Sequence, residues 1–145
     1  SIFALSAFMA VIARIFWGYL ASTVSTARTI LGGIGIFGAA AAILVSLFDG
    51  NWDYSFILTV AVLYNVTALS WHGILLAEVA RLAPSDRIGG VTGGVLSFTS
   101  IAMMTYPALY GSILAITGSY SIGFLVCSLP AIASGLIFLR KPIEI

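Results

Sequence analysis

Tyr120–Leu139 reads YSIGFLVCSLPAIASGLIFL, a run of 20 residues that contains no charged side chain. Arg140, Lys141 and Pro142 follow it directly. A helix of about 20 apolar residues crosses the hydrocarbon core of a bilayer, and Lys and Arg collect where such a helix leaves the membrane. This stretch therefore predicts a transmembrane helix that ends before Arg140.

The composition of the whole chain agrees with this stretch. Of its 145 residues, 61% are hydrophobic and only 8% are charged, and the mean hydropathy is +1.14. Soluble domains are about 45–50% apolar and about 25% charged, so the composition excludes a soluble domain and a disordered tail. A net charge of +1 provides no basic patch, which argues against nucleic acid as a partner. The composition predicts an all-α integral membrane protein.

Four further apolar segments precede residues 120–139 in the chain, and each is long enough to span a bilayer. They cover about residues 2–20, 29–48, 54–79 and 91–117. Together with residues 120–139 they predict five transmembrane helices, which form a single transmembrane domain over residues 1–145. The third predicted span is the longest, so we expect it to tilt or to extend beyond the membrane.

The cations between these spans predict the orientation. The loop cations all fall on one side of the predicted membrane: Arg28, Arg81, Arg87, Arg140 and Lys141. Loops rich in Lys and Arg stay in the cytoplasm, so this side and the C-terminus are expected to be cytoplasmic. Arg14 lies within two turns of the same end of the first span, where its side chain is expected to snorkel towards the surface.

The start of the chain raises the question of completeness. The chain begins with Ser1 and has no charged leader segment before its first span. We therefore expect a fragment of a longer protein whose preceding spans are missing. Cys127 is the only cysteine and is expected to be a packed apolar residue.

Small residues four positions apart predict close helix contacts, because such pairs let two backbones approach each other in lipid. Gly35 and Gly38 supply them in the second span, each followed by Ala four residues later, and Gly90 and Gly94 form such a pair in the fourth. These glycines serve either static packing or the sliding of a moving protein. Pro107 lacks a backbone donor and is expected to kink the fourth span.

Sequence patterns give no support for an enzyme. Residues 33–38 match a dinucleotide fingerprint, but they lie inside a membrane helix rather than after a strand. One His and one Cys cannot build a metal cluster. Ser70 and His72 lie too close along one helix for a hydrolase pair. We therefore expect no catalytic residues, no metal and no cofactor.

Polar residues inside the predicted spans are candidates for function, because polar groups in hydrocarbon are costly. Asn65, with Tyr64 beside it and His72 seven residues later, either faces a solvated cavity and contacts substrate or bonds a neighbouring helix. His72 itself is either a titrating group or a packing residue. Thr105 and Tyr106 precede Pro107, where a freed carbonyl can create a local polar site.

Charged residues cluster where the third span ends. Residues 78–89 read EVARLAPSDRIG and hold Glu78, Arg81 and Arg87. The charges form either an ion-pair network that breaks and reforms during a conformational cycle or a solvated loop.

This segment resembles the Glu…Pro…Arg-Gly segment that joins the tenth and eleventh helices of major facilitator superfamily transporters. Residues 71–78, WHGILLAE, look like bacterial members of that superfamily, and residues 14–21, RIFWGYLA, with Gly18, resemble its loop motif. Pro107 with Gly111 is similar to a pattern of its eleventh helix. The chain departs from the loop motif at Ser22, where the motif has an acidic residue.

The resemblance implies helices eight to twelve of a major facilitator fold, which is part of its second six-helix bundle. It implies secondary transport of a small solute by alternating access across a bacterial inner membrane, with Arg14, Glu78 and Arg87 as gate charges. The implied partners are the solute, the lipid bilayer and the missing N-terminal helices of the same transporter. The alternative is a structural or assembly subunit of a membrane complex that has no translocation path of its own.

Overall fold

The computed structural model describes residues 2–140 of the chain, and over this range it contains helices and no strand. The helices are α1 (Ile2–Thr23), α2 (Ala27–Ser46), α3 (Tyr54–Ala68), α4 (Trp71–Leu82), α5 (Ile88–Thr117) and α6 (Tyr120–Leu139). Five helical segments, with α3 and α4 counted together, are long and apolar enough to cross a membrane. The prediction of an all-helical chain with five such segments is confirmed. Lys141 lies outside the described residues.

The helix ends follow from local chemistry. Thr26 precedes α2 and accepts a hydrogen bond from the Thr29 N–H at 3.3 Å, and Asp53 caps α3 in the same way. These side chains satisfy N–H groups that have no partner within the helix. Gly118 ends α5 with φ of +65°, a left-handed conformation that glycine adopts at little cost. Pro107 lies inside α5, which continues to Thr117.

The third predicted span, residues 54–79, corresponds to one apolar segment, Tyr54–Leu82, and this segment is interrupted. It consists of α3 and α4, separated at Leu69 and Ser70. The Asn65 amide donates to the Ala61 carbonyl at 3.0 Å, and the Thr67 hydroxyl donates to the Leu63 carbonyl at 2.9 Å. Side chains that bond to the preceding turn compete with the backbone and bend helices, so these residues favour a break just after them.

The closest helix pair is α2 against α6, which run antiparallel. A Cβ atom added to Gly35 would lie 2.8 Å from the Gly135 Cα and 3.1 Å from the Ala131 carbonyl oxygen. A Cβ added to Gly32 would lie 2.6 Å from the Leu139 Cγ. The two backbones therefore approach each other more closely than any larger residue permits, and the structure places Gly35 at the centre of this contact.

The other glycines that the sequence marks as packing residues have no neighbouring backbone as close as that of Gly35. A Cβ added to Gly38 would lie 3.4 Å from the Thr67 Oγ1 of α3. Within the described residues, no atom lies within 4 Å of a Cβ built at Gly18, Gly90 or Gly94. The close packing expected of Gly90 and Gly94 is therefore not found within this chain. The physical reason is the position of α5, which packs at the edge of the bundle against α4 and α6 and has no buried residue.

Arg28 joins the start of α2 to the end of α6. Its Nε donates to the Phe138 carbonyl at 2.9 Å, and its Nη2 donates to the Arg140 carbonyl at 2.8 Å. The last carbonyls of a helix have no partner within the helix, and a cation there also interacts favourably with the helix dipole. Arg28 thus acts as a C-terminal cap for α6, and it holds the end of α6 beside the start of α2.

Candidate functional site

A cavity of about 600 Å³ lies between the C-terminal part of α1, the start of α2 and α4. This end of the bundle also carries Arg28 and the end of α6, and we call it the cationic end. The polar residues of the cavity wall are Arg14, Ser22, Thr26, Ser70, Glu78 and Arg81, and the other lining residues are glycine, alanine and Ile74. A volume of this size is typical of pockets for small molecules.

A buried apolar cluster fixes two walls of the cavity. Leu31 and Ile34 of α2 pack with Ile74 of α4, and Trp17 of α1 and Trp71 of α4 pack against them. Ile74 is itself part of the cavity lining. The side chains of α4 that follow at helical spacing, Ala77 and Glu78, therefore face the same cavity.

Arg14 lies near the middle of α1 and reaches the break between α3 and α4. Its Nε donates to the Leu69 carbonyl at 3.0 Å. Because α1 extends to Thr23, Arg14 lies about 14 Å along the helix from its end. The Arg14 side chain is exposed within the described residues, and its Nε turns towards the Leu69 carbonyl.

The position of Arg14 has an energetic consequence. An arginine at the centre of a membrane helix costs about 2.5 to 3.5 kcal/mol on insertion scales. Such residues face a protein interior or a water-filled cavity, where they mark the path of a solute or an ion. Among the residues that the structure describes, no acidic side chain forms an ion pair with Arg14.

Glu78 and Arg81 pair with each other in the last turns of α4. Arg81 donates from Nε to the Glu78 Oε2 at 2.8 Å and from Nη2 to Oε1 at 2.6 Å. The Glu78 side chain is 22% exposed and that of Arg81 is 68% exposed. Exposed pairs of this kind contribute about 0 to 1 kcal/mol to stability. Since these two charges cancel, Arg14 leaves the cavity wall with one net positive charge.

Of the three gate charges implied by the family resemblance, two line the cavity and the third does not. Arg14 and Glu78 both line the cavity. Arg87 lies on the exposed segment between α4 and α5, where its Nε is 3.5 Å from the Asp86 carboxylate. The carboxylate of Glu78 is bound by Arg81 rather than by Arg87.

Ser70 lines the cavity and directly precedes α4. The residue is only 2% exposed, yet within the described part of the chain its Oγ has no hydrogen-bond partner. It precedes the first turn of α4 without capping it. A buried hydroxyl without a partner is uncommon in folded proteins, and this one borders a cavity.

Asn65 and Tyr64 lie away from the cavity lining. The Asn65 Nδ2 donates to the Ser6 Oγ of α1 at 3.2 Å, which agrees with the interpretation that Asn65 bonds a neighbouring helix. The Tyr64 ring packs edge-on against Phe124 of α6, with ring centroids 5.9 Å apart. Phe124 also contacts Tyr110 of α5 at 5.6 Å, so these rings connect three helices.

The other candidates from the sequence are held by local contacts. The His72 ring stacks on Trp71 with centroids 3.8 Å apart, as expected of a packing residue. Thr105 donates to the Ile101 carbonyl of its own helix at 2.8 Å. The Tyr106 hydroxyl lies 3.4 Å from the Cys127 carbonyl of α6. The structure thus brings neither Thr105 nor Tyr106 into the cavity.

The sequence analysis does not identify Ser22, Thr26 or Ser70 as residues that line a cavity. A signal for Ser70 was present, because Asn65, Thr67 and Ser70 are three residues that compete with backbone hydrogen bonds within six positions. Their concentration in one apolar segment is typical of an interrupted membrane helix.

In comparisons with known proteins, no family model matches the chain, and neither a curated protein nor a solved structure matches it. Its class follows from its own composition and fold. The chain is an integral membrane protein with five helical segments that can span a bilayer.

Proposed function

We propose that the chain is part of a secondary transporter of the major facilitator superfamily, which moves a small solute across a bacterial inner membrane by alternating access. The cavity at Arg14 is the observation that carries this proposal. It combines a charged side chain near the middle of a membrane helix with an interrupted helix beside it. Both features are typical of transporter substrate sites.

Two further observations support the proposal. The cationic end fits the cytoplasmic side of such a transporter, because positive loops stay in the cytoplasm. The surface of α5, which carries no buried residue over 30 positions, fits a position against the remaining helices of the same transporter. Its glycine pair, Gly90 and Gly94, is open to such a contact.

Thiol accessibility tests the proposal in the full-length protein, with Cys127 replaced by Ser. Gly73→Cys places a thiol in the cavity, where no atom lies within 4 Å of the new Cβ. Gly33→Cys is a matched control, since Gly33 is also a helical glycine with an open Cβ position but does not line the cavity.

Alternating access predicts that a membrane-impermeant thiol reagent labels Gly73→Cys from each side of the membrane in turn, while Gly33→Cys stays unlabelled. Labelling of Gly73→Cys from the cationic side alone favours the structural or assembly subunit. If the reagent reaches Gly73→Cys from neither side, the cavity is not aqueous and the transport proposal is wrong.

A further inference from the structure

We propose that the cavity binds a small organic monoanion, whose carboxylate lies against the Arg14 guanidinium and the Ser70 hydroxyl. The inference deepens the proposed function by naming the substrate class, and it rests on that proposal for the claim that the bound anion is transported. The binding itself depends only on the cavity.

The charge balance of the cavity wall points to an anion. Arg81 is neutralised by two hydrogen bonds to Glu78, whereas Arg14 is bound through Nε to a neutral carbonyl. A cation inside a membrane protein is stabilised by an opposite charge. A bound carboxylate supplies that charge, since the described residues place no acidic side chain against Arg14.

Hydrogen-bond geometry favours the same ligand. Because Nε of Arg14 is occupied by the Leu69 carbonyl at 3.0 Å, the guanidinium is held in place and its Nη groups remain for a ligand. Guanidinium groups bind carboxylates through paired hydrogen bonds. Ser70 is the residue that follows Leu69, and its buried Oγ has no partner within the described residues, so it can donate to the same carboxylate.

The break between α3 and α4 places a helix N-terminus at the cavity, which is a third feature that favours anion binding. Helix α4 begins at Trp71 and extends over 12 residues, and both Ser70 and Gly73 line the cavity. The positive end of the α4 dipole therefore lies close to Ser70 and to the Leu69 carbonyl that Arg14 binds. Helix N-termini attract anions because their first N–H groups have no partner within the helix.

The composition of the cavity wall predicts a ligand with one negative charge and an apolar body. Apart from the polar residues already named, the wall consists of small apolar side chains and Ile74. Glu78 lines the same cavity but is paired with Arg81, so the wall offers one net positive charge, which matches one negative charge on the ligand. A monocarboxylate with an apolar body satisfies both constraints, whereas a dianion does not.

Benzoate and benzamide form a suitable pair of probes, because they have nearly the same shape and differ in charge. The assay is the thermal unfolding of the purified full-length protein in detergent, since a ligand that binds only the folded state raises the unfolding temperature. Benzoate is expected to raise it in a saturable way, and benzamide is not.

Variants locate the site. Arg14→Gln is expected to weaken benzoate binding by at least about tenfold, because it removes a charged hydrogen-bond donor. Arg87→Gln, the same substitution outside the cavity, is expected to leave it unchanged. Since Arg14→Gln also disturbs the contact with Leu69, Glu78→Gln provides a second test that leaves Arg14 in place. It frees the Arg81 charge and is expected to strengthen benzoate binding.

Equal shifts with benzoate and benzamide would overturn the inference, as would unchanged benzoate binding in both Arg14→Gln and Glu78→Gln. The two proposals fail separately. Benzoate binding together with one-sided labelling of Gly73→Cys overturns transport alone. Two-sided labelling without a preference for benzoate overturns the anion site alone.

Discussion

The contact between α2 and α6 gives a sharp test of the packing, through the variant Gly35→Ala. The new Cβ would lie 2.8 Å from the Gly135 Cα and 3.0 Å from the Gly135 N. Carbon atoms pack at about 3.5 to 4.0 Å, so the two helices must separate locally by about 0.7 to 1.2 Å. The obstructing atoms belong to the backbone, which cannot turn aside as a side chain does.

The expected cost follows from this geometry. Adding a methyl group to a well-packed contact costs about 1 to 3 kcal/mol. Because the obstructing atoms belong to the backbone, we expect the upper part of this range, about 2 to 3 kcal/mol, and the higher helix propensity of alanine returns about 1 kcal/mol. The expected net loss is therefore about 1 to 2 kcal/mol. Gly33→Ala is the matched control, because no described atom lies within 4 Å of its new Cβ. It is expected to be neutral or slightly stabilising.

The measurement is reversible unfolding of both variants in micelles, with helix content followed by circular dichroism. Gly35→Ala should unfold at a lower denaturant concentration than the parent protein, and Gly33→Ala should not. If the two variants unfold at the same midpoint, the close approach of α2 and α6 does not stabilise the fold and this reasoning is refuted.

Three further substitutions test single contacts. Arg28→Ala removes three hydrogen bonds to carbonyls at the end of α6 and is expected to cost about 1.5 to 3 kcal/mol of unfolding free energy; a loss below the error of the denaturation curve would contradict its role as a cap. Asn65→Ala breaks the bond to Ser6 and is expected to cost only about 0.6 kcal/mol, so a loss of solute uptake at full stability would instead place Asn65 in the substrate path. Glu78→Gln weakens an exposed ion pair and should change the unfolding free energy by less than about 1 kcal/mol, while it slows solute uptake into cells. Unchanged uptake would remove Glu78 from the mechanism.

Several elements could be predicted from the sequence because their causes are local. The segment 120–139 was assigned as a helix on its hydropathy alone, and α6 has those bounds. The end of α5 was expected at Gly118, and a left-handed glycine ends it there. The break in the third span is not predicted, because hydropathy does not register an interruption that arises from the hydrogen bonds of Asn65 and Thr67.

The candidate site was only partly predictable for a different reason. Arg14 and Glu78 were identified from charge within or beside a span, and both line the cavity. Their partners could not be read from the sequence, since Leu69 is 55 residues from Arg14 along the chain. For Asn65 and Tyr64 the sequence leaves a cavity and a neighbouring helix as alternatives, because polarity alone does not specify the face on which a neighbouring helix packs.

Hydropathy is enough to identify a membrane protein with five apolar segments, because the cost of exposing backbone and charge to lipid applies to each segment separately. The tertiary structure is needed to show that Gly35 meets Gly135, that Arg28 caps α6, and that Arg14 binds the Leu69 carbonyl. Each of these contacts joins residues that are distant in the chain. Their partners depend on how the helices cross, which the apolar pattern of a single helix does not specify.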